Sequence, residues 1–465
     1  MRPVQRSQKP QPELPTELQQ VNLHAAGIDI GATSHFVAVP SSGDPQPVRE
    51  FGAFTRDLHQ LADWLQSCGV ETVAMESTGV YWIPVFEVLE QRGFVVKLVD
   101  PRQLKRAPGR KTDVLDCQWL QQLHTFGLLV GAFRPPDQVC VLRSYLRQRE
   151  NLVRSATREI QHMQKALTQM NLQLHHAPIQ IGVTGATGMA IIRAILAGER
   201  DPRALAKLRD YRCKNDEATI AKALEGTWRE EHLFALQQAV ELQDIYQEKI
   251  KACDTRIQAT LGTFADRSEG APVPKRSKDK GRKRRALAPA FDLHPELFRL
   301  TGVDVTSLDG IESLTALQIL SETGIDVSPW PTEKHFASWL GLSPGSKKSG
   351  GKMLSSRTKS SANRAAAAFR MAAQSLHRSR SALGAYYRRM RARLGGPQAI
   401  TATAHKLART FYALLKYGHA YVDPGQDAYQ RQHRDLAVKA LRRRARELGF
   451  DLATNQGKLS AVAPA

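Results

Sequence analysis

At 465 residues the chain exceeds what one hydrophobic core organises, and its 42% hydrophobic content supplies apolar material for two or more domains. Its 66 Lys+Arg against 45 Asp+Glu give a formal charge of +21, which points to a polyanionic partner, nucleic acid first. No stretch approaches the roughly 18–20 apolar residues that span a bilayer, which excludes a membrane-spanning helix.

Five cysteines (Cys68, Cys117, Cys140, Cys213, Cys253) are odd in number, scattered and never spaced as Cys-x-x-Cys. Neither a disulfide framework nor a zinc site is indicated, and the pattern fits a reducing cytoplasm. Residues 1–20 are rich in Arg, Pro and Gln without an apolar core, so they read as a disordered leader and not a secretion signal.

Residues 21–135 alternate short β-rich runs (HAAGIDIG, HFVAVP, ETVAMES, FVVKLV) with helical ones (LHQLADWLQSC), the pattern of an α/β domain. The leading strands are joined by short turns and the later ones by helices, which predicts a mixed sheet whose first three strands are antiparallel.

Residues 136–264 read as a helical domain. Leu142, Leu146, Val153, Ala156, Ile160, Met163, Leu167, Met170 and Leu174 keep a 4-3 spacing broken only by Arg149, the seam of a coiled coil. A long helix packed within a helical domain gives the same pattern. Charged flanks favour self-association or an antiparallel hairpin, with Leu233–Ile257 as the partner helix. Gly182, Gly185 and Gly188 mark a loop between them that lacks the lysine of a phosphate-cradling loop.

Residues 265–292 form a composition break containing KRSKDKGRKRR, Lys275–Arg285. Such a run reads as a flexible basic linker, either solubilising or in contact with phosphates. The remaining domain, residues 293–449, is helical and basic, and 450–465 is a flexible tail. Within it, LTGVDVTSLDGIESLTALQILSETG reads as a turn at Gly310 and a helix with Ile311, Leu314, Leu317 and Leu320 inward, a helix-hairpin-helix-like DNA element. A Ser/Gly/Lys-rich loop (SPGSKKSGGKMLSSRTKSS), an Ala-rich helix from about Asn363 and basic helices follow.

The carboxylates carry the chemistry. Asp29 ends an apolar strand just before Gly31, and Glu76 ends ETVAM just before Ser77, Thr78 and Gly79. Asp113 and Asp116, in KTDVLD, fall three residues apart at a helix start and share a face. The bland account of Asp113 is a first-turn acid behind a Thr112 cap. Four converging carboxylates would repel one another unless they held divalent cations with oxygen preference, Mg²⁺ or Mn²⁺, and two such ions can serve phosphoryl transfer. Lys105, Arg106, Arg110 and Lys111 stand just before that helix, where they could hold a DNA strand.

GIDIGATSH, MESTGVYWIPVFEVLE, VDPRQLKRAPGRKTDVLDCQWL and WLGLSPGSKKSGGK together resemble the DEDD transposases of bridge-RNA-guided insertion sequences. The resemblance implies an N-terminal domain with the RuvC-like (RNase H-like) fold, with Asp29, Glu76, Asp113 and Asp116 as the catalytic, metal-binding carboxylates. It implies a C-terminal domain whose nucleophilic serine, Ser349 by motif, joins covalently to DNA. Lys347, Lys348, Lys352 and Arg357 then become phosphate contacts. By residues alone, Ser346, Ser349, Ser355 and Ser356 are interchangeable in a Ser/Gly linker. The implied partners are double-stranded DNA at the element ends and target, a noncoding guide RNA, and further copies of the chain in a dimer or tetramer. The basic run at 265–292 and the tail after Gly449 depart from the family pattern.

Asp-x-Gly-x-Thr at Asp29–Thr33 also opens the phosphate loop of actin-like kinases, but the second loop and Gly-Gly motif of those proteins are missing. A non-catalytic nucleic-acid-binding protein leaves the strand-end acids unexplained. A hydrolytic junction resolvase leaves the serine-bearing domain unexplained.

Overall fold

The structure, a computed structural model, describes residues 19–77, 79–101, 112–174, 183–211, 213, 215–275, 288–361, 363–418 and 421–450. The chain divides into two compact units, Met1–Arg134 and Pro135–Ala465.

The first unit is built on a five-stranded sheet: β1 (Ala25–Ile30), β2 (Ser34–Ala38), β3 (Val48–Gly52), β4 (Thr72–Glu76) and β5 (Val95–Val99), in the order β3-β2-β1-β4-β5. β1, β2 and β3 pair antiparallel, whereas β4 joins β1 and β5 joins β4 in parallel, so the sheet is mixed as the connections imply. Helices α1 (Thr55–Ser67) and α2 (Trp82–Gln91) supply the crossovers. Gly31 permits the tight β1–β2 turn, its N–H donating to the Ser34 carbonyl at 3.0 Å.

Because side chains alternate along a strand, the sheet carries a separate apolar cluster on each face. Ala26, Ile28 and Ile30 pack with Leu58, Leu61 and Leu65 of α1 and Val85, Phe86 and Leu89 of α2. On the opposite face Ala74 and Val99 pack with Leu120 of α3 (Asp113–Thr125).

The far end of α3 carries a buried histidine. His124 is 1% exposed, and its Nε2 lies 2.9 Å from Thr72 Oγ1. Burial first, and Lys97 second, pull its pKa down to about 4. The unfolded chain takes that proton near pH 6.5, so stability present above pH 6.5 is lost as pH falls toward 4, by about 3 kcal/mol in all. Urea unfolding at pH 7 and pH 4.5 should show the loss in the wild type and a smaller one in His124→Gln.

The second unit begins with α4 (Asp137–Gln169), which lies antiparallel against α8 (Glu230–Gly262). Gln138 Nε2 donates to Thr263 Oγ1 at 2.8 Å near one end, and the Thr227 N–H donates to the Met170 carbonyl at 2.8 Å near the other. Arg149, the residue that interrupts the apolar spacing, pairs with Asp254 across the two helices, with both side chains 3% exposed. Asp254 also accepts the Ala290 N–H at 2.9 Å.

At the Met170 end, α5 (Ala186–Leu196), α6 (Pro202–Ala206) and α7 (Glu217–Ala223) close over Met163, Leu167 and Met170 with Ile191, Ile192 and Ile195. Gly188 has a packing role there, since a Cβ would collide with the Val183 carbonyl. Gly182 lies outside the described residues, as do residues 276–287 of the basic run.

The rest of the unit is mainly helical, apart from a short hairpin at 347–355: α9 (Leu293–Thr301), α10 (Ser313–Thr323), α11 (Glu333–Trp339), α12 (Arg364–Ser375), α13 (Ala382–Leu394), α14 (Gly396–Tyr417) and α15 (Gly425–Glu447). Phe336, Phe369, Phe411 and Tyr412 fill its core, and Tyr412 donates its hydroxyl to the Trp330 carbonyl at 2.7 Å. α10 docks on α4 through Arg147, whose guanidinium grips Glu322 at 2.7 and 2.9 Å. Gly310 adopts φ +88° where a Cβ would lie 2.7 Å from the Ala372 carbonyl. Ile311, Leu317 and Leu320 are buried, joined by Ala316 and Ile319, while Leu314 is half-buried.

Candidate metal centre and exposed serine

The face of β1 opposite Ile28 decides where the carboxylates fall. Gly27 lies on that face, and a Cβ there would collide with the Gln121 amide and lie 2.5 Å from the Cys117 carbonyl. Glycine therefore lets the α3 backbone rest directly on β1. Gln121 Nε2 donates to the Ala25 carbonyl at 3.3 Å, and the Val21 and Asn22 N–H groups donate to the Thr125 carbonyl at 2.9 Å, fixing the helix along the strand. Thr112 caps the start of α3, its Oγ1 accepting the Leu115 N–H at 3.3 Å.

Two residues beyond Gly27 on the same face comes Asp29. The first turn of α3 brings Asp113 and Asp116 to it, and the three carboxylates offer oxygens that all lie within 4.8 Å of one another. Asp29 and Asp116 are half-buried and Asp113 is exposed. Cys117, buried beneath them, reports the local field. Burial pushes its thiol up to about 12, and the Asp29 and Asp116 carboxylates add to the rise.

Glu76 stands outside this trio. β4 pairs Ala74 with Gly27 and Met75 with Ile28, so alternation puts Glu76 on the α3 face at the end of the neighbouring strand. It is half-buried there. β5 ends beside it on another half-buried acid, Asp100, which the sequence reading passed over although VVKLVD repeats the apolar-strand-then-acid pattern of Asp29. Lys105, Arg106, Arg110 and Lys111 lie outside the described residues.

The trio fits a hard divalent cation. Three like charges within 4.8 Å disfavour one another in the absence of a counter-charge, and every donor is a carboxylate oxygen. The adjacent thiol stays protonated at neutral pH, so no soft thiolate competes as a ligand.

In the second unit, the segment expected to be a loop forms a hairpin of β6 (Lys347–Ser349) and β7 (Lys352–Ser355). Gly350 and Gly351 have φ of +54° and +75°, the conformation a two-residue hairpin turn demands and glycine supplies without strain. The hairpin continues through an isolated bridge between Pro344 and Thr358, and the Gly345 N–H donates to the Arg357 carbonyl at 3.0 Å.

This geometry separates the four serines. Ser349 is the one at the turn, exposed and paired in register with Lys352. Ser355 is half-buried and its Oγ accepts the Arg357 N–H at 3.2 Å, while Ser346 and Ser356 flank the strands. Lys347, Lys348, Lys352 and Arg357 are all exposed. Met353 and Leu354, 54% and 67% exposed, make the hairpin an apolar as well as a basic projection.

Two family models match the chain. Residues 26–172 match the DEDD transposase model of IS110, described as a transposase, and these include all four predicted acids. Residues 304–388 match the Transposase IS116/IS110/IS902 family, and these include Ser349. No curated protein matches the chain. A carboxylate cluster within transposase-matched sequence, together with a second transposase match, makes this chain a DNA transposase, an enzyme of DNA recombination. It belongs to the IS116/IS110/IS902 family of insertion-sequence transposases.

Proposed function

We propose that the chain cuts and rejoins DNA through a serine–DNA covalent link, with Mg²⁺ or Mn²⁺ held by Asp29, Asp113 and Asp116 and completed by Glu76. The observation that carries this reading is the trio of carboxylates gathered within 4.8 Å from a strand end and a helix start. A divalent cation bound there supplies Lewis acidity at a phosphate oxygen.

The residues of the chain divide the remaining work. Ser349 attacks phosphorus; its Oγ–P bond forms as one backbone P–O bond breaks, and the hydroxyl proton passes to the departing DNA oxygen. A hydroxyl of a second strand then attacks the phosphoserine, restores Ser349 and completes the exchange. Lys347, Lys348, Lys352 and Arg357 bind the flanking phosphates, each salt-sensitive contact positioning the strand. Lys105, Arg106, Arg110 and Lys111, which precede Asp113 in the sequence, do the same.

In this reading residues 21–135 are a RuvC-like domain, and the antiparallel α4–α8 pair within 136–264 is a coiled coil. Residues 265–292 are a basic linker, and 293–449 are the serine domain, with a helix-hairpin-helix-like element at α9–α10. A noncoding bridge RNA selects element end and target, and the chain works as a dimer or tetramer in the cytoplasm. The mixed sheet, the length of α4 and α8 and the basic composition support it.

Calorimetric titration of Mn²⁺ into the purified protein tests the metal centre. Binding is expected in the wild type and should be abolished in Asp113→Asn/Asp116→Asn; unchanged binding in that variant would refute the assignment.

A further inference from the structure

A second cationic site straddles the end of the second family match, between α13 and α15. A cavity of about 280 Å³ opens there, lined by Arg388, Arg389, Tyr429 and Arg434 among others. Two cations crowd one pair of rings. The Arg389 guanidinium lies 5.6 Å from the Tyr386 ring centre and 5.4 Å from that of Tyr429, and the Lys406 ammonium lies 4.7 and 5.4 Å from the same two rings.

Neither cation makes an ion pair with a carboxylate among the described residues, and Arg389 Nε is buried with no hydrogen-bond partner. Two like charges sharing two rings are an unfavourable arrangement that the rings offset only in part, since a cation–π contact contributes about 0.5–2 kcal/mol. Burial and the neighbouring Arg389 hold the Lys406 amine below the ordinary lysine range. Arg388 is differently employed: it donates to the Ser379 carbonyl and Gln426 Oε1, both at 2.6 Å, and so ties the start of α15 to α13. Beyond the cavity α15 buries no residue and carries Lys439 and the Arg442–Arg444 run, a basic track leading from the same place.

We propose that Arg389 and Lys406, seated on Tyr386 and Tyr429, form a binding site for a backbone phosphate of nucleic acid, with Arg434 at its mouth. The missing component is a compact anion that accepts from two donors at once, and a phosphodiester meets that description. Aromatic rings beside the cations also suit a neighbouring base, which can stack where a strand is unpaired. The proposal rests on the reading of the chain as a nucleic-acid enzyme and adds a contact outside the carboxylate and serine sites. Single-stranded RNA, single-stranded DNA and duplex DNA share the phosphate, and the test separates them.

Affinity for labelled oligonucleotides of each kind should be measured across a salt series in the wild type and in Arg389→Met/Lys406→Met, which keeps the apolar stems. The expected result is a log–log salt slope smaller by about 0.7 on a single strand or about 0.9 on a duplex for each phosphate lost. The nucleic acid that shows the change is the one bound. An unchanged slope on all three, in a variant that unfolds at the wild-type temperature or above, overturns the site. Absence of binding by the wild type would instead overturn the function proposed above. If the double variant is unstable, acylation of Lys406 in the wild type, read by mass spectrometry, decides: protection by oligonucleotide supports the site, and equal labelling with and without it refutes it.

Discussion

Asp29→Asn is expected to lower metal-dependent strand cleavage by at least about 10³-fold, roughly 4 kcal/mol of barrier, without lowering thermal stability in metal-free buffer. The second half follows from the geometry. Asp29 shares a 4.8 Å neighbourhood with Asp113 and Asp116, so its neutralisation relieves repulsion when no cation is present. The wild type should be stabilised by added Mg²⁺ by RT ln(1 + [L]/Kd), and the variant should not. A purely structural role for Asp29 predicts the opposite pairing, activity falling only as far as stability falls. Strand-cleavage rates and melting curves with and without Mg²⁺ on the two proteins distinguish them.

Arg149→Met is expected to destabilise the second unit by about 3–5 kcal/mol, because it strips the buried Asp254 carboxylate of its cationic partner while the neutral Ala290 N–H goes on donating to it. The ion pair holds the middle of the α4–α8 pair, with the Arg149 Nε and Asp254 Oδ1 atoms 2.5 Å apart. Replacing both, as Arg149→Met/Asp254→Leu, removes the stranded charge and should recover most of the loss, since apolar packing can substitute for a buried ion pair. Urea unfolding of the single and double variants checks this, and equal destabilisation by both would show that the charges themselves are needed.

How much was legible depends on whether the signal was local. The apolar strands ending in Asp29 and Glu76, and the first-turn acids behind the Thr112 cap, stand within short stretches, and the sheet and helix they imply are present. That Asp113 and Asp116 meet Asp29 while Glu76 stands outside the trio depends on how closely α3 lies on β1, which Gly27 sets from far away in sequence. β3, with Arg49 and Glu50 at its centre, carries no apolar run to announce it.

In the second unit, the spacing along α4 identifies the buried face apart from Val153 and Ile160, which are half-buried, and marks Arg149 as its break. What resolves the break is Asp254, on another helix, and spacing cannot name a partner at that distance. The Ser349 hairpin was hidden for the opposite reason. Nearly every residue in it is exposed, so no alternation exists to be read, and only the Gly350–Gly351 pair signals the turn. The cluster at Arg389 and Lys406 joins three helices and has no sequence signature at all.

The proposed serine–DNA link stands or falls on Ser349. Purified protein should be incubated with Mg²⁺, the proposed guide RNA and labelled donor and target DNA, then denatured and resolved for protein joined to DNA. A covalent adduct is expected in the wild type and in Ser346→Ala, and none in Ser349→Ala. Cleavage without attachment, or attachment that survives in Ser349→Ala, would contradict it.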